Sequence, residues 1–306
     1  MVQTDPGVGM MKRRGLRWAL AAGAALLALY LGASYAVLTI ALTPLRKPHD
    51  QTPVSAGLGA QELWLESAKD RTRLYGFFLP GGSDRAIVMV HGVDSNCWDG
   101  NDREIARAYL ARGYSVMLFD LRAQGSSEGK LLGLGWKERD DVLAAVRYLL
   151  GRGFKGGRIG IHGSSYGAAT AILAAAYIPE IGAVAADSPF ADIRDMMEQE
   201  LRAKLGFGKL FGPGVLLVSR LFFGLDLGEI APIKALPKIA PRPVFLLHGG
   251  ADSRIPVEHS KRLKAASSNP KDILWIVPEA EHTKEFNLRR DEFIKRTTEF
   301  FAGALR

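Results

Sequence analysis

One cysteine, Cys97, is all the sequence contains, which rules out an intrachain disulfide and any multi-cysteine metal site. There is no HExxH pair and no GxxxxGK[ST] loop, and the six histidines fall in no zinc-like spacing, so the usual metalloprotease and nucleotide-cradling motifs are missing. Acidic residues are scarce at the start: Asp5 is the only one in the first 47 positions. Against it stand Lys12, Arg13, Arg14, Arg17, Arg46 and Lys47, so this stretch carries +5 of the net +8. The basic excess is a flank on an apolar segment and is not spread over a folded surface, so no nucleic-acid partner is expected. With 47% apolar residues the bulk of the chain has enough to bury a core.

Between Arg17 and Arg46 no residue is charged, and Trp18 to Leu42 is almost wholly apolar. As a helix that run is about 37 Å long, enough to cross about 30 Å of hydrocarbon with some tilt. The larger basic flank lies on the N-terminal side, which predicts a single-pass anchor with the remainder of the chain outside the cytoplasm. A cleaved signal peptide, cut near Ala33-Ser34-Tyr35-Ala36, is the alternative, and the protein would then be secreted. The chain therefore divides into a basic flank (1–17), an anchor (18–42), a Pro- and Gly-rich linker (43–60) and a folded domain (61–306).

In that domain short apolar runs alternate with helical stretches. ELWLES (62–67) and TRLYGFFL (72–79) predict two opening antiparallel strands. AIVMV (86–90), SVMLF (115–119), RIGIH (158–162), GAVAA (182–186), PVFLL (243–247) and DILWIV (272–277) are nearly continuous in apolarity, as parallel strands covered on both faces are. Helical patterns lie between them at about 101–112, 137–151, 166–177, 257–267 and 290–303. The expected fold is α/β, with a mostly parallel sheet of about eight strands and helices on both faces. Functional residues of such sheets collect beyond the C-terminal strand ends.

RIGIH runs into Gly163-Ser164-Ser165-Tyr166-Gly167 and then an Ala-rich helical stretch. This G-x-S-x-G pattern in a strand–turn–helix setting marks Ser165 as a nucleophile at the head of a helix. A serine hydroxyl needs a positioned base. Of the histidines, His282 follows the last strand and is the expected base. His162 lies within a strand and reads as structural, His248 is tied to a Gly-Gly turn, and His259 falls on a helix expected to be exposed. Asp252 follows PVFLL and is the expected partner of the base, with Asp187 and Asp120 as rivals that also follow strands. The backbone N–H groups of Val93 and Tyr166 are the expected oxyanion donors. His91 reads as a residue that shapes the loop, and Cys97 as a buried thiol.

Taken together, His91-Gly92 with Asn96, Asp120-Leu121-Arg122-Ala123-Gln124-Gly125-Ser126-Ser127, the turn at Ser165, Asp187-Ser188-Pro189-Phe190, Gly249-Gly250-Ala251-Asp252 and His282 resemble the α/β-hydrolase superfamily. The closest likeness is to bacterial branches akin to prolyl-oligopeptidase-type peptidase domains, acyl-thioesterases and lipases. The order Ser165, Asp252, His282 is the order of that superfamily. Ala123-Gln124 departs from the family's usual D-x-R-G-x-G-x-S turn without touching a reacting group. The resemblance implies a serine hydrolase working through an acyl-Ser165 intermediate on an ester or thioester, with no cofactor and no metal. An exopeptidase of the prolyl-oligopeptidase type and a non-catalytic scaffold are the alternatives, and the oligomeric state is left open.

Between Asp187 and the strand at 243 the chain is longer than one crossover requires. About 191–240 is expected to form a cap insertion, with 191–204 helical and 205–228 unusually apolar. Phe207, Phe211, Leu217 and Phe222 are expected to line a pocket for a small-molecule or lipid-like acyl substrate, or else to rest on the membrane.

Overall fold

The computed structural model describes residues 6–205 and 208–306, and the side chains of residues 14–199 and 212–306. Helix α1 (Pro6–Leu42) leads into an irregular strap. Strands β1 (Gln61–Glu66), β2 (Arg73–Leu79) and β3 (Ala86–Val90) follow, then α2 (Gly100–Ala111), β4 (Ser115–Phe119), α3 (Glu138–Gly151), β5 (Ile159–Ser164), α4 (Tyr166–Tyr177) and β6 (Ile181–Asp187). The cap interval holds α5 (Ile193–Leu205), α6 (Gly208–Phe223) and the short α7 (Pro232–Ala235). The chain closes with β7 (Val244–Gly249), α8 (Glu258–Ala266), β8 (Ile273–Val277), α9 (Glu285–Leu288) and α10 (Arg290–Ala304).

All eight predicted strands form one sheet, in the order β1-β2-β4-β3-β5-β6-β7-β8. β1 and β2 run antiparallel at one edge, and β4 through β8 are parallel. The continuous apolarity of the central strands follows from the pleat. Along β3, Ala86, Val88 and Val90 face the layer that contains α3 and α4, while Ile87 and Met89 face the layer of α2 and α10. β4 divides in the same way, with Met117 and Phe119 on the first face and Val116 and Leu118 on the second. Neither face is left wet.

The N-terminal helix is more than a tether. Its residues 14–29 are exposed, but Ser34, Leu38 and Leu42 are buried, the two leucines within the first core layer. Residues 43–60 hold no helix or strand, as their composition indicates, yet they are bound along the domain where a free linker was expected. Arg46 donates to the carbonyls of Ser127 and Gly129 at 2.6 Å each and of Gly125 at 3.2 Å. His49 meets Asp120 at 2.8 Å, and Asn96 Nδ2 donates to the Pro48 carbonyl at 3.1 Å. Prolines keep this stretch extended, so its backbone groups are free to pair with distant loops.

His162 sits in β5 with Nδ1 2.6 Å from the Tyr109 hydroxyl and its ring stacked on Phe293. Its Nε2 has no partner, so the structural histidine is satisfied on one side only. Burial pushes its imidazole down to about 4. In the unfolded chain the same group binds a proton near its ordinary value of about 6.5. The unfolded state therefore holds more protons between about pH 6.5 and pH 4, and stability falls as pH is lowered through that window, by about 3 kcal/mol at full extent. His162→Gln is expected to flatten this acid sensitivity in urea unfolding followed from neutral to acidic pH. A slope equal to that of the wild type would contradict it.

Candidate active site

The turn between β5 and α4 holds Ser165 at φ 55° and ψ −118°, a conformation that costs a non-glycine residue about 1–3 kcal/mol. Its N–H donates to the Asp187 carbonyl at 2.7 Å, and its own carbonyl accepts from Ala168 N–H at 3.0 Å. The flanking glycines make the turn sterically possible. A Cβ on Gly163 would lie 2.2 Å from the Gly167 carbonyl oxygen, and one on Gly167 would lie 2.0 Å from that of Val90. Only residues without a side chain fit there.

β7 and β8 are parallel neighbours, so the loops that leave them end side by side. Asp252 comes from the first and His282 from the second. His282 Nδ1 lies 2.7 Å from Asp252 Oδ2, and its Nε2 lies 2.8 Å from Ser165 Oγ. An ionised carboxylate only accepts, so the imidazole proton sits on Nδ1 and Nε2 is left to accept from the serine hydroxyl. The other oxygen of Asp252 takes the N–H groups of Arg254 at 2.9 Å and Ile255 at 2.8 Å. Burial works against its charge, yet hydrogen bonds from His248, His282 and Ile255 hold Asp252 well below the usual carboxylate range.

His248 is a positioning residue that the sequence placed only in a turn. It is fully buried, with Nδ1 2.6 Å from the Ser260 hydroxyl and Nε2 2.8 Å from the Ile255 carbonyl and 3.4 Å from Asp252. The bond to Ile255 puts the proton on Nε2, which also faces Asp252, so His248 supports the carboxylate from behind. The signal available in the sequence was its place four residues before Asp252 at the end of β7.

The loop after β3 closes the other side. A Cβ on Gly92 would lie 3.5 Å from that of Ser165, so this loop abuts Ser165. Both nitrogens of His91 are engaged, Nδ1 with the Gly92 carbonyl at 2.7 Å and Nε2 with Leu121 N–H at 3.0 Å, which fits a loop-shaping role. Among the described residues no group accepts from the backbone N–H of Val93 or of Tyr166.

The remaining candidates separate cleanly. The rival acid Asp187 faces the Ser188 hydroxyl at 3.1 Å, which also lies 3.3 Å from Glu285. Burial and the neighbouring Glu285 push Asp187 well up, and burial raises Glu285 as well, so this pair retains a proton. Asp120 accepts from Cys97 N–H, Ser126 N–H and His49. Cys97 is buried, and burial together with Asp120 pushes its thiol well up. His49, Cys97 and Asp120 bring donor atoms within 4.8 Å of one another, but the carboxylate is already filled with hydrogen bonds and the thiol is protonated, so the cluster anchors the strap. His259, expected to be exposed, is buried instead and accepts from Ala191 N–H at 3.1 Å. The helix it lies on turns that face inward to hold the start of the cap.

The expected pocket residues fare differently. Phe207 and the side chain of Phe211 lie outside the described residues. Leu217 and Phe222 are 47% and 66% exposed, on the outer side of α6, and so do not line an enclosed pocket. The inward stripe is Val215 and Val218. A helix apolar over more than one face does not declare which stripe it buries. A hollow of about 730 Å³ lined by Gly157, Gly182, Arg242 and Lys271 lies at the opposite, N-terminal edge of the sheet and holds none of the groups above.

Comparison with known proteins bears on this arrangement. Residues 41–206, just over half of the chain, match the family described as X-Pro dipeptidyl-peptidase (S15 family). The uncharacterized protein YqkD of Bacillus subtilis is 32% identical over 227 residues, covering 72% of each chain. The uncharacterized protein YfhR of Escherichia coli K12 is 28% identical over 247 residues, covering 78% of this chain and 80% of its own. The esterase Pf2001 of Pyrococcus furiosus superposes with a TM-score of 0.73 at 26% identity, covering 87% of this chain and 100% of the esterase.

The steric demand at the turn is testable apart from any activity. Gly163→Ala and Gly167→Ala are each expected to lower unfolding free energy by about 1–3 kcal/mol or more, as overpacking against fixed backbone does. Gly303→Ala, where nothing lies within 4 Å, is the control and is expected to be neutral or slightly stabilising in the same urea titration.

Proposed function

The chain belongs to the X-Pro dipeptidyl-peptidase (S15) family of the α/β-hydrolase superfamily, and on that footing we propose that it is a serine hydrolase cleaving an ester or thioester through an acyl-Ser165 intermediate. The observation that carries this reading is the continuous hydrogen-bonded relay from Asp252 through His282 to Ser165, at 2.7 and 2.8 Å. His282 Nε2 takes the hydroxyl proton as Ser165 Oγ attacks the carbonyl carbon. Asp252 holds the tautomer and stabilises the imidazolium. The N–H groups of Val93 and Tyr166 receive the oxyanion, the second from the first turn of α4, where the helix dipole favours negative charge. His282 then protonates the leaving group, and the same base activates the water that releases the acyl group.

The ester preference is supported by the likeness to Pf2001 over that esterase's whole length. The family match supports a second reading, cleavage of an X-Pro dipeptide from a peptide N-terminus. That reaction requires an acidic group beside Ser165 to hold the substrate ammonium. Helix α1 is long and apolar enough to cross a membrane, and its basic flank favours a single-pass anchor with the catalytic domain outside the cytoplasm.

A fluorophosphonate probe tests the mechanism directly. Wild type is expected to be labelled, and Ser165→Ala and His282→Ala to remain unlabelled although folded. Asp252→Asn is expected to lower kcat on p-nitrophenyl butyrate by about 10⁴-fold, the effect of losing the correct tautomer. A folded wild type that resists the probe would sink the hydrolase reading. Faster turnover of Ala-Pro-p-nitroanilide than of any p-nitrophenyl ester would move the peptidase reading to the front.

A further inference from the structure

The length of α1 sets where the rest of the molecule sits. Arg17 is the last charge before the apolar run, and crossing about 30 Å of hydrocarbon at 1.5 Å per residue takes about 20 residues. Counted from Trp18, the span reaches Val37, and tilt only lengthens it. It cannot slide toward the N-terminus without drawing Lys12, Arg13, Arg14 and Arg17 into lipid. Yet the stretch of α1 exposed on every side ends at Leu29, and beyond it one face, with Ser34 and Leu38, is buried. One face of the last two turns of the span is therefore already occupied by protein.

The element packed there is α6. Gly214 N–H donates to the Tyr30 hydroxyl at 2.8 Å, and a Cβ on Gly214 would lie 2.3 Å from Ser34 Oγ. This is the close approach that small residues permit between helices in lipid. Further along, the Tyr35 ring meets those of Phe222 and Phe223 at 5.7 and 5.2 Å. Every one of these α1 contacts falls inside the stretch that must lie in hydrocarbon. Beyond the contact, α6 presents Leu216, Leu217, Leu221 and Phe222 outward, between 45% and 66% exposed and continuous with the apolar surface of α1. The one cation among the described side chains of α6, Arg220, pairs with Asp226.

The same junction touches the reacting centre. Leu132 N–H donates to the Leu42 carbonyl at 2.8 Å, and Leu45 N–H donates to Asp94 Oδ1 at 2.8 Å. Asp94 lies two residues beyond Gly92, which abuts Ser165. We propose that α6 and the last turns of α1 form one lipid-immersed platform, and that the Ser165 site draws a membrane-borne acyl ester from the leaflet the platform occupies. The platform stands on the packing of α1 and α6 alone, whereas the substrate class rests on the acyl-hydrolase reading.

The full chain in phosphatidylcholine nanodiscs tests both parts. Single cysteines at Leu217→Cys and Leu221→Cys, labelled with the fluorophore NBD, are expected to be quenched by doxyl-lipid and shielded from iodide. Lys295→Cys on α10 should show the reverse, and wild type serves as the blank because Cys97 is buried. Iodide quenching at 217 and 221 equal to that at 295 would overturn the platform. With α1 intact, the double variant L217E/L221E is expected to raise KM for vesicle-borne p-nitrophenyl palmitate by about tenfold or more, as charges forced toward hydrocarbon oppose docking. Its turnover of soluble p-nitrophenyl acetate should match wild type. Equal KM for the palmitate ester would overturn the membrane-borne substrate. A wild type that hydrolyses neither ester would be a failure of the hydrolase reading, with the fluorophore result still deciding the platform.

Discussion

The rest of the site is arranged around one strained residue. Ser165 occupies a backbone conformation that L-residues avoid, and it does so where a strand must hand over to a helix within a single position. Two things hold it there. The glycines on either side let the backbones of β5, α4 and the end of β3 approach more closely than any side chain would allow. The Ser165 N–H is also tied to the carbonyl of Asp187 on the neighbouring strand. The sheet therefore carries the strain. Because β5 lies between β3 and β6, the turn brings the Gly92 loop and Asp187 to either side of the hydroxyl.

Electrostatics around the base depend on which buried carboxyl is charged. Three lie close behind it, Asp252, Asp187 and Glu285, and three adjacent anions in a dry interior would repel each other strongly. Asp252 has two backbone N–H groups and two imidazoles to stabilise its charge. Asp187 and Glu285 have one shared hydroxyl and each other, so they keep a proton. The pair then carries one negative charge where it would otherwise carry two, and the carboxylate in contact with His282, Asp252, is ionised. His248 matters for the same reason, since it supplies Asp252 with a donor that needs no access to solvent.

The N-terminal segment and the catalytic face are mechanically one piece. Leu38 and Leu42 belong to the core, Arg46 gathers three carbonyls of the loop after β4, and His49 pairs with Asp120 in that loop. These bonds leave little freedom between α1 and the loop that abuts Ser165. A flexible tether would let the domain turn freely about α1, whereas this strap fixes its orientation to that helix.

Much of this was legible in the amino-acid order because it is local. A parallel strand buried on both faces announces itself by continuous apolarity, and the residue that follows it is where the chemistry collects. Ser165, Asp252 and His282, which the structure brings within hydrogen-bond reach, were singled out in that way, and so were the six parallel strands. What stayed hidden depends on which way a helix is turned or on partners far along the chain. The pattern of α8 gave no sign that His259 points inward to Ala191, and α6 is apolar over more than one face, so Leu217 and Phe222 looked like lining when they lie outside. The strap read as a linker because its hydrogen bonds reach loops some 50 to 80 residues away. Sequence alone determined the strands, the turn and the order of Ser165, Asp252 and His282, through short-range sterics and burial periodicity. Tertiary structure alone decided helix rotation, the support of Asp252 by His248 and the docking of α1 on α6, because each is settled by contacts between segments that the chain keeps far apart.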